Sequence, residues 1–354
     1  MSLTSDEIKQ YNRHLILNEI GFKGQVKLKE AKVLIIGAGG LGCPILQYLT
    51  AAGVGTIGII DHDVVSISNL QRQILYTHQD IGKYKVTTAI SQLQQLNPNV
   101  EFIPYLEELT HKNALQLFEQ YDIIVDGSDN FPTRYLANDA SVLTKKPLVF
   151  GAIYKFEGQV SVFNYKNGPT YRCLFPNPPG PNEVPNCSQI GVLGVLPGII
   201  GSFQANEVIK IITENGKVLN GELLSYNTLT HEQLKVSFSK NSSISLTKLE
   251  TDYELFCGIM ENTFELEYDT IKSNLDKYHL IDVREEWERE EFNIGGIHIS
   301  VYDLINQLDL LKTDKPILLY CQSGNRSSKG RQLLEDLLPG REVFTLKDGI
   351  SGLE

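Results

Sequence analysis

Residues 31–61 read AKVLIIGAGGLGCPILQYLTAAGVGTIGIID, and this stretch decides the fold. An apolar run ends at Gly37, Gly39 and Gly42 in G-x-G-x-x-G spacing, and a helical pattern and a second apolar run follow. This order predicts a mononucleotide-binding βαβ unit. Because glycine lacks Cβ, the loop can bring backbone N–H groups against phosphate oxygens at the start of the helix. Asp61 closes the second strand and is placed to accept hydrogen bonds from a ribose.

The composition is that of an ordinary globular protein. The chain has 354 residues, 42% hydrophobic and 21% charged, which predicts two or three domains. A net charge of -11 argues against a general nucleic-acid or anionic-membrane binder. The N-terminal residues lack the apolar core of a signal peptide, and the longest apolar stretch, residues 191–201, is too short to span a bilayer. We therefore expect a cytoplasmic protein whose five scattered cysteines are reduced thiols.

The glycine loop alone leaves NAD, FAD, S-adenosylmethionine and ATP open, so the residues after Asp61 have to decide. The polar stretch 68–73 holds Ser68, Asn69 and Arg72 and is predicted to run beside the nucleotide. Lys85 follows at the start of a predicted helix that ends at residue 96. A lysine there opposes the helix macrodipole, which a bound anion would rationalise.

A second acidic site follows the apolar strand predicted over residues 122–126. Asp129 and Asn130 stand in the loop after that strand, and parallel strands end at the ligand crevice of an open α/β sheet. Their side chains carry hard oxygen ligands of the kind that Mg²⁺ accepts beside phosphates. The alternative for Asp129 is an N-cap of a helix that begins near Pro132.

The remaining elements predict two domains. Residues 3–28 suggest two amphipathic helices broken at glycines, with Arg13 on a solvated helix face. Residues 147–164 suggest two strands that extend the sheet antiparallel. A proline-rich loop then leads to Cys187, and a free cysteine is usually a small, partly buried structural residue. We predict a first domain over residues 1–245, a linker over 246–267 and a small second α/β domain over 268–354.

The second domain carries its own reactive loop. Cys321 follows a strand, and the loop ends at Arg326 before a helix that starts near Ser327. Successive N–H groups beside an arginine at a helix start should favour the thiolate of Cys321. A phosphatase loop needs one more residue to surround a phosphate, whereas this shorter ring suits a single sulfur atom. The alternative is a buried structural cysteine.

These motifs together resemble the MoeB/ThiF/HesA adenylyltransferases, the bacterial relatives of ubiquitin-activating enzymes. The resemblance covers about residues 4–240 and is carried by the glycine loop, residues 69–73, the G-x-x-K-V of residues 82–86 and the D-x-x-D-N of residues 126–130. The rest resembles a rhodanese-like domain through residues 281–285, the Cys321 loop and residues 346–349. The fold class implied is a Rossmann-like adenylation domain of the ubiquitin-activating type, followed by a small α/β rhodanese-like domain.

The resemblance also implies roles for individual residues. Gly40 and the neighbouring amides would face the phosphates, and Asp61 would hold the ribose of ATP. Positive charge from Arg72 and Lys85 would neutralise the triphosphate, with help from Asn69, and Asp129 would bind Mg²⁺. Arg13 would reach the ATP of the partner subunit, which implies a homodimer with shared sites.

The implied reaction is ATP-dependent adenylation of the C-terminal Gly-Gly of a ubiquitin-like sulfur carrier. A persulfide on Cys321 would then give a thiocarboxylate, with Cys187 a candidate for a transient acyl link and a cysteine desulfurase a possible sulfur donor. Molybdopterin, thiamine and tRNA thiolation pathways all use this chemistry. Relatives often bind structural zinc through two C-x-x-C pairs, but Thr170 replaces the first cysteine and leaves Cys173 alone, so we expect no zinc.

Two alternatives stay open at this point. The glycine loop also suits an NAD-dependent oxidoreductase, although Arg72, Lys85 and Asp129 argue for a triphosphate with a metal ion. The rhodanese-like domain could also be an inactive docking module attached to an active adenylyltransferase.

Overall fold

The structure is a computed structural model that describes residues 2–179, 191–258, 264–338, 340–351 and 353. It divides into two compact units, Met1–Gly258 and Ile259–Glu354. The helices described are α1 Ser5–Gln10, α2 Asn12–Leu15, α3 Gly21–Glu30, α4 Gly42–Ala52, α5 Lys85–Leu96, α6 Ala114–Glu119, α7 Phe131–Thr144, α8 Tyr171–Leu174, α9 Leu196–Thr213, α10 Tyr253–Phe256, α11 Tyr268–Ile271, α12 Glu286–Glu291 and α13 Asn325–Leu337. The strands are β1 Lys32–Ile36, β2 Thr56–Ile60, β3 Glu101–Tyr105, β4 Ile123–Asp126, β5 Leu148–Tyr154, β6 Glu157–Phe163, β7 Glu222–Asn227, β8 Gln233–Ser237, β9 Glu265–Leu266, β10 His279–Asp282, β11 Ile297–His298, β12 Ile317–Tyr320 and β13 Val343–Leu346.

The first unit is built on an eight-stranded sheet in the order β3-β2-β1-β4-β5-β6-β7-β8. The five strands β3, β2, β1, β4 and β5 pair in parallel. Strands β6, β7 and β8 pair antiparallel with their neighbours. The central strands β1 and β4 are buried on both faces, which matches their unbroken apolar sequences. Strands β2 and β3 lie on one side of β1, and the strands from β4 onward lie on the other side. A ligand crevice is expected at the carboxyl ends of β1 and β4, where the strand order reverses.

Two apolar clusters cover the two faces of this sheet. One gathers side chains of α4, α5 and α9, including Leu46, Val86 and Val208. The other gathers side chains of α6 and α7, including Phe118 and Leu136. Helices on both faces of a largely parallel sheet are the doubly wound arrangement, so the predicted fold class is confirmed for this unit.

Two sequence-based expectations about this unit are wrong. Gly24 lies inside α3 rather than between two helices, and a Cβ there would be 3.0 Å from Ile20 Cγ2 and 3.6 Å from Thr213 Cγ2. The glycine therefore permits close packing and does not end the helix. Strand β5 is parallel to β4 because helix α7 forms the crossover between them. Only β6, which follows a tight turn, begins the antiparallel part.

The segment that leads out of the first unit is anchored by a buried ion pair. Arg172 donates from Nε and Nη2 to the two carboxylate oxygens of Asp139, over 2.7 and 2.6 Å. The hydroxyl of Tyr253, at the start of α10, donates to Asp139 Oδ2 over 2.7 Å. The Arg172 guanidinium also lies 4.5 Å from the ring centre of Phe256. Part of the stretch predicted as a polar linker is thus packed on α7.

The second unit has a five-stranded parallel sheet in the order β11-β10-β12-β13-β9. Strand β12 is central and fully buried, and its carboxyl end leads directly into the loop of Cys321. The loop then enters α13. This small α/β unit agrees with the fold class that the sequence predicted for the second domain.

Candidate functional site

The carboxyl ends of β1, β2 and β4 open into a cavity of about 490 Å³ in the first unit. Residues from four separated sequence motifs meet in its lining, which includes Gly37, Gly39, Gly40, Asp61, Ser68, Arg72, Lys85, Asp129 and Asn130. Gly42, Asn69 and Arg13 do not line it. The fold therefore brings most of the predicted nucleotide-binding residues around one space.

The glycine loop is shaped by two positions that exclude a side chain. Gly37 has φ +88°, in the left-handed region that favours glycine, and a Cβ there would lie 3.0 Å from Gly127 O. A Cβ on Gly42 would lie 2.1 Å from Gly37 O. Gly42 thus allows α4 to begin against the loop without lining the cavity, which leaves the amides of Gly39 and Gly40 beside the open space.

Asp61 fixes the backbone at the cavity floor. Its Oδ2 accepts a hydrogen bond from Ala38 N over 2.8 Å, and its Oδ1 accepts one from Asp63 N over 2.8 Å. The carboxylate therefore joins the glycine loop to the turn after β2. Its half-buried side chain still lines the cavity, as a ribose-binding acid must.

Lys85 has an ion-pair partner that the sequence analysis missed. Lys85 Nζ lies 2.7 Å from Asp63 Oδ2, and the lysine side chain is 7% exposed while that of Asp63 is 54% exposed. Asp63 supplies the negative charge that a lysine at the start of α5 needs. The sequence signal that could have indicated Asp63 is its position two residues after Asp61, in a polar segment. A triphosphate entering the cavity would compete with this exposed carboxylate for Lys85.

Arg72 lines the cavity, whereas Asn69, in the same turn, stabilises the backbone. Arg72 is half-buried, and its Nη1 donates to Ser68 O over 3.1 Å. Asn69 ends a short 3₁₀ turn, and its Oδ1 accepts from Ser66 N over 3.1 Å in a capping box. The hydrogen bonds of Asn69 stabilise the turn that presents Arg72 to the cavity.

The loop after β4 resolves the two interpretations of Asp129. Asn130 is the N-cap of α7, and its Oδ1 accepts from Thr133 N over 2.9 Å. The capping interpretation of Asp129 is therefore wrong, and Asp129 is exposed in the cavity lining. Its carboxylate is available for a ligand, whereas the side chain of Asn130 is engaged in the cap.

A buried acid lies beneath this loop, at the first position of the D-x-x-D-N motif, to which the sequence analysis assigned no role of its own. Asp126 Oδ1 accepts from Ser128 N over 2.9 Å and from Ser128 Oγ over 2.6 Å. Burial raises the pKa of Asp126, and Arg134, whose Nε is 3.8 Å from Oδ2, opposes that rise. Arg134 also lines the cavity and lies over the rings of Phe131 and Phe150. This cluster fixes the loop that carries Asp129.

The structure does not bring two of the predicted residues to the cavity of this chain. Arg13 is exposed on α2. Cys187 falls within residues 180–190, outside the described residues. Their predicted roles therefore stay predictions.

Cys173 is held by hydrogen bonds instead of a partner cysteine. Its Sγ accepts from Thr170 N and from Asn241 N, over 3.4 and 3.3 Å. Burial opposes ionisation, but the Thr170 hydroxyl, 3.4 Å from Sγ, together with these two backbone hydrogen bonds outweighs it and lowers the pKa of the thiol. Across the described part of the chain, histidine, cysteine, aspartate and glutamate side chains form no group of three that could hold a metal ion.

Cys321 lies at the head of the second unit's loop and is 1% exposed. Its Sγ accepts from Ser327 N over 3.4 Å and lies 3.5 Å from Ser327 Oγ. One backbone N–H group at the start of α13 therefore points at the sulfur. Arg326 differs from the expectation, because its guanidinium forms a bidentate pair with Glu288 on α12. Hydrogen bonds from Arg326 lower the pKa of Glu288 to about 2.

Comparison with known proteins identifies both parts of the chain. The family model described as "ThiF family" matches residues 11–245, more than half of the sequence. The chain belongs to the ThiF family. The model described as "Rhodanese-like domain" matches residues 267–354 of this ThiF-family chain.

Curated relatives combine the same two parts. The chain is 42% identical to the Culex quinquefasciatus protein named "Adenylyltransferase and sulfurtransferase MOCS3", over 99% of this chain and 87% of the relative. It is 42% identical to the Mycobacterium tuberculosis "Probable adenylyltransferase/sulfurtransferase MoeZ", over 93% of this chain and 88% of the relative. A Thermus thermophilus "Sulfur carrier protein adenylyltransferase" is 49% identical over 73% of this chain and all of the relative.

The fold has solved counterparts as well. The crystal structure of E. coli MccB superimposes with a TM-score of 0.57 at 20% identity, over 64% of this chain and 68% of that one. This likeness concerns the fold. The prediction of an adenylyltransferase joined to a sulfurtransferase is confirmed by the family and the relatives, so the NAD-dependent oxidoreductase loses its basis. No helix among the described residues has the length and hydrophobicity that a membrane crossing needs.

Proposed function

We propose that this ThiF-family chain uses ATP to adenylate the C-terminal Gly-Gly carboxylate of a ubiquitin-like sulfur carrier, and then converts it to a thiocarboxylate. The observation that carries the first half is the shared cavity of the glycine loop, Asp61, Arg72, Lys85 and Asp129. In this proposal the loop amides bind phosphate and Asp61 accepts from the ribose. Arg72 and Lys85 are the two cations, and Asp129 is the oxygen ligand for a metal ion. The names of the relatives support the same pair of activities.

In the first step the carrier carboxylate attacks the α-phosphate of ATP, and pyrophosphate leaves. The nucleophile is already ionised, so no general base is required. Rate acceleration then comes from positioning and charge stabilisation. Arg72 and Lys85 supply the positive charge, and the amides near Gly40 supply oriented N–H donors.

Asp129 fits the requirements of a magnesium ligand. Its carboxylate is exposed in the cavity, and the helix cap is made by Asn130. Mg²⁺ in phosphate-transfer sites is held by one or two carboxylates together with substrate phosphates. When bound, the ion would neutralise charge on the departing pyrophosphate.

In the second step a persulfide on Cys321 attacks the carrier acyl-adenylate, and AMP leaves. The product is an acyl disulfide, and a thiol attacks its Cys321 sulfur, forms a mixed disulfide with Cys321 and releases the carrier thiocarboxylate. Cys187 stays a candidate for a transient acyl link. The sulfur donor is proposed to be a cysteine desulfurase or another persulfide source.

The assembly and setting follow from the same proposal. Arg13 is exposed on α2 outside the cavity of its own chain, which supports a homodimer in which it reaches the partner's ATP. We expect the reaction in the cytoplasm, in molybdopterin, thiamine or tRNA thiolation metabolism. The carrier selects among these pathways.

Intact-mass spectrometry of candidate Gly-Gly carriers tests the whole proposal. Each carrier is incubated with the protein, Mg-ATP, and either thiosulfate or a cysteine desulfurase with cysteine. We expect one carrier to gain the mass of a thiocarboxylate, and we expect the Cys321→Ala variant to stop at the adenylate. Accumulation of adenylate with the wild-type chain would instead favour an inactive rhodanese-like docking module. A lack of modification of every carrier would contradict the proposal.

Asp129→Asn is expected to reduce ATP–pyrophosphate exchange by about a hundredfold or more, because an oxygen ligand loses its charge. The exposed side chain makes no helix cap, so circular dichroism should be unchanged. Raising the Mg²⁺ concentration should recover part of the rate. Asn130→Ala separates capping from charge, since it should weaken the start of α7 by about 1 kcal/mol while the Asp129 carboxylate is kept. Near-normal exchange in Asp129→Asn would refute the magnesium assignment.

A further inference from the structure

We infer that Glu288 determines which sulfur donors Cys321 accepts, because its pairing with Arg326 disfavours dianionic donors such as thiosulfate. Donors with one negative charge or none at the reacting end are then preferred. This inference rests on the proposed function, in which Cys321 carries a persulfide.

The geometry of the pair carries the argument. Arg326 is the only charged residue in the loop from Cys321 to Arg326. Its Nη1 and Nη2 lie 2.5 and 2.6 Å from Glu288 Oε2 and Oε1. The side chains are 29% and 13% exposed. A bidentate, largely shielded pair fixes the guanidinium in orientation and cancels its charge.

A second arginine beside the loop is also paired with an acid. Arg284 is 1% exposed and donates to both carboxylate oxygens of Asp282, over 3.0 and 2.8 Å. Its remaining Nη1 donates to Gln322 Oε1 over 3.1 Å, which ties this neutral pair to the loop. Arg289 Nη1 lies 3.8 Å from Asp282 Oδ2.

Further acids adjoin the loop. The Ser300 hydroxyl donates to Glu285 on one side, and the backbone of Asp348 packs against Gly324 on the other. Arg284 and Arg326 are thus each paired with an acid, while Arg289 shares Asp282 with Arg284.

This balance matters for the chemistry of sulfur loading. With thiosulfate, the Cys321 thiolate attacks the outer sulfur, the S–S bond of thiosulfate breaks, and sulfite leaves with the bonding electron pair. A dianion must therefore approach an anion, which requires a cation without a local counter-charge. Glu288 removes the one cation that the loop itself provides. A monoanionic thiosulfonate follows the same route and releases a sulfinate, but it has half the charge to be stabilised.

Glu288→Gln isolates this effect with little risk to folding. Glu288 occupies the third position of a capping box, where its Oε2 accepts from Glu285 N over 3.0 Å. Glutamine also suits that position and can still accept from Arg326. The substitution therefore keeps one acceptor oxygen for Glu285 N and Arg326 Nη1, loses the acceptor for Arg326 Nη2, and leaves the charge of Arg326 uncompensated. Glu290→Gln is the matched control, because Glu290 is exposed on the same helix α12 and loses the same charge about 200° around it.

The experiment compares thiosulfate with methanethiosulfonate as donors to the full chain. Loading is followed by intact mass, as addition of one sulfur atom at Cys321, and by release of sulfite or sulfinate. In Glu288→Gln we expect kcat/KM to rise about tenfold for thiosulfate, mainly through KM, and about threefold for methanethiosulfonate. The ratio of the two donors therefore rises, and the rise shrinks at high salt. Glu290→Gln should leave the ratio unchanged.

Two results would overturn the inference, and they differ from each other. Loading from both donors with an unchanged ratio in Glu288→Gln would reject the role of Glu288 while the persulfide function stands. If neither donor loads Cys321 in wild type or in Glu288→Gln, the inference and the proposed sulfurtransferase step fail together. Near-ultraviolet circular dichroism around Trp287, on α12, verifies that each variant is folded.

Discussion

Arg72→Ala is expected to lower kcat/KM for carrier adenylation by about a hundred- to a thousandfold. Arg72 is a half-buried cation in the cavity lining, held by its hydrogen bond to Ser68 O. Its loss removes positive charge where the triphosphate is proposed to react. The backbone of the turn should be unaffected, because Asn69 and Ser66 form its capping box. ATP–pyrophosphate exchange with the cognate carrier measures the effect.

Arg72→Lys provides the matched comparison. Lysine keeps the charge but loses the planar group that can bind two phosphate oxygens, so an intermediate rate is expected. Mixing Arg72→Ala with Arg13→Ala then tests the shared site. If dimers exchange subunits, one of the two sites in a mixed dimer has both arginines, and part of the activity returns. Full activity of Arg72→Ala would contradict its assignment, and a lack of recovery in exchanged dimers would remove the role of Arg13.

Asp139→Ala is expected to destabilise the first unit by about 3–5 kcal/mol, because it leaves the Arg172 guanidinium buried without its counter-ion. Asp139 is fully buried, and Arg172 is 9% exposed. The Tyr253 hydroxyl loses its acceptor in the same change. Burial and the neighbouring carboxylate both raise the pKa of Tyr253, so this hydroxyl stays a donor throughout the physiological pH range.

Hydrogen exchange of α7 peptides measures this change directly, since the single tryptophan, Trp287, lies in the other unit. Tyr253→Phe is the control, because it removes one hydrogen bond and should cost about 1 kcal/mol. Replacing Asp139 and Arg172 together by leucine should cost less than Asp139→Ala, since no charge remains buried. Unchanged exchange in Asp139→Ala would show that the pair does not stabilise α7.

The sequence by itself determined the fold class and most of the residues that line the cavity of the first unit. The glycine loop, Asp61 and Lys85 stand at fixed offsets from strands and helices whose periodicity is strong. Parallel strands end at one edge of a sheet, so residues after such strands converge without further information. The arrangement of a Cys321 loop between a strand and a helix was predictable for the same local reason.

Only the tertiary structure decided which charges are already paired. Asp63 meets Lys85 across 22 residues of sequence, Glu288 meets Arg326 across 38, and Tyr253 meets Asp139 across 114. Single charged residues carry no periodic signal, and their partners depend on how separate elements pack. Local capping does have a sequence signal, yet that signal suggested Asp129 as the cap of α7, and only the backbone at the helix start showed that Asn130 is the cap. Local pattern thus predicted which residues gather at one edge of the sheet, whereas long-range packing fixed the pairing of their charges.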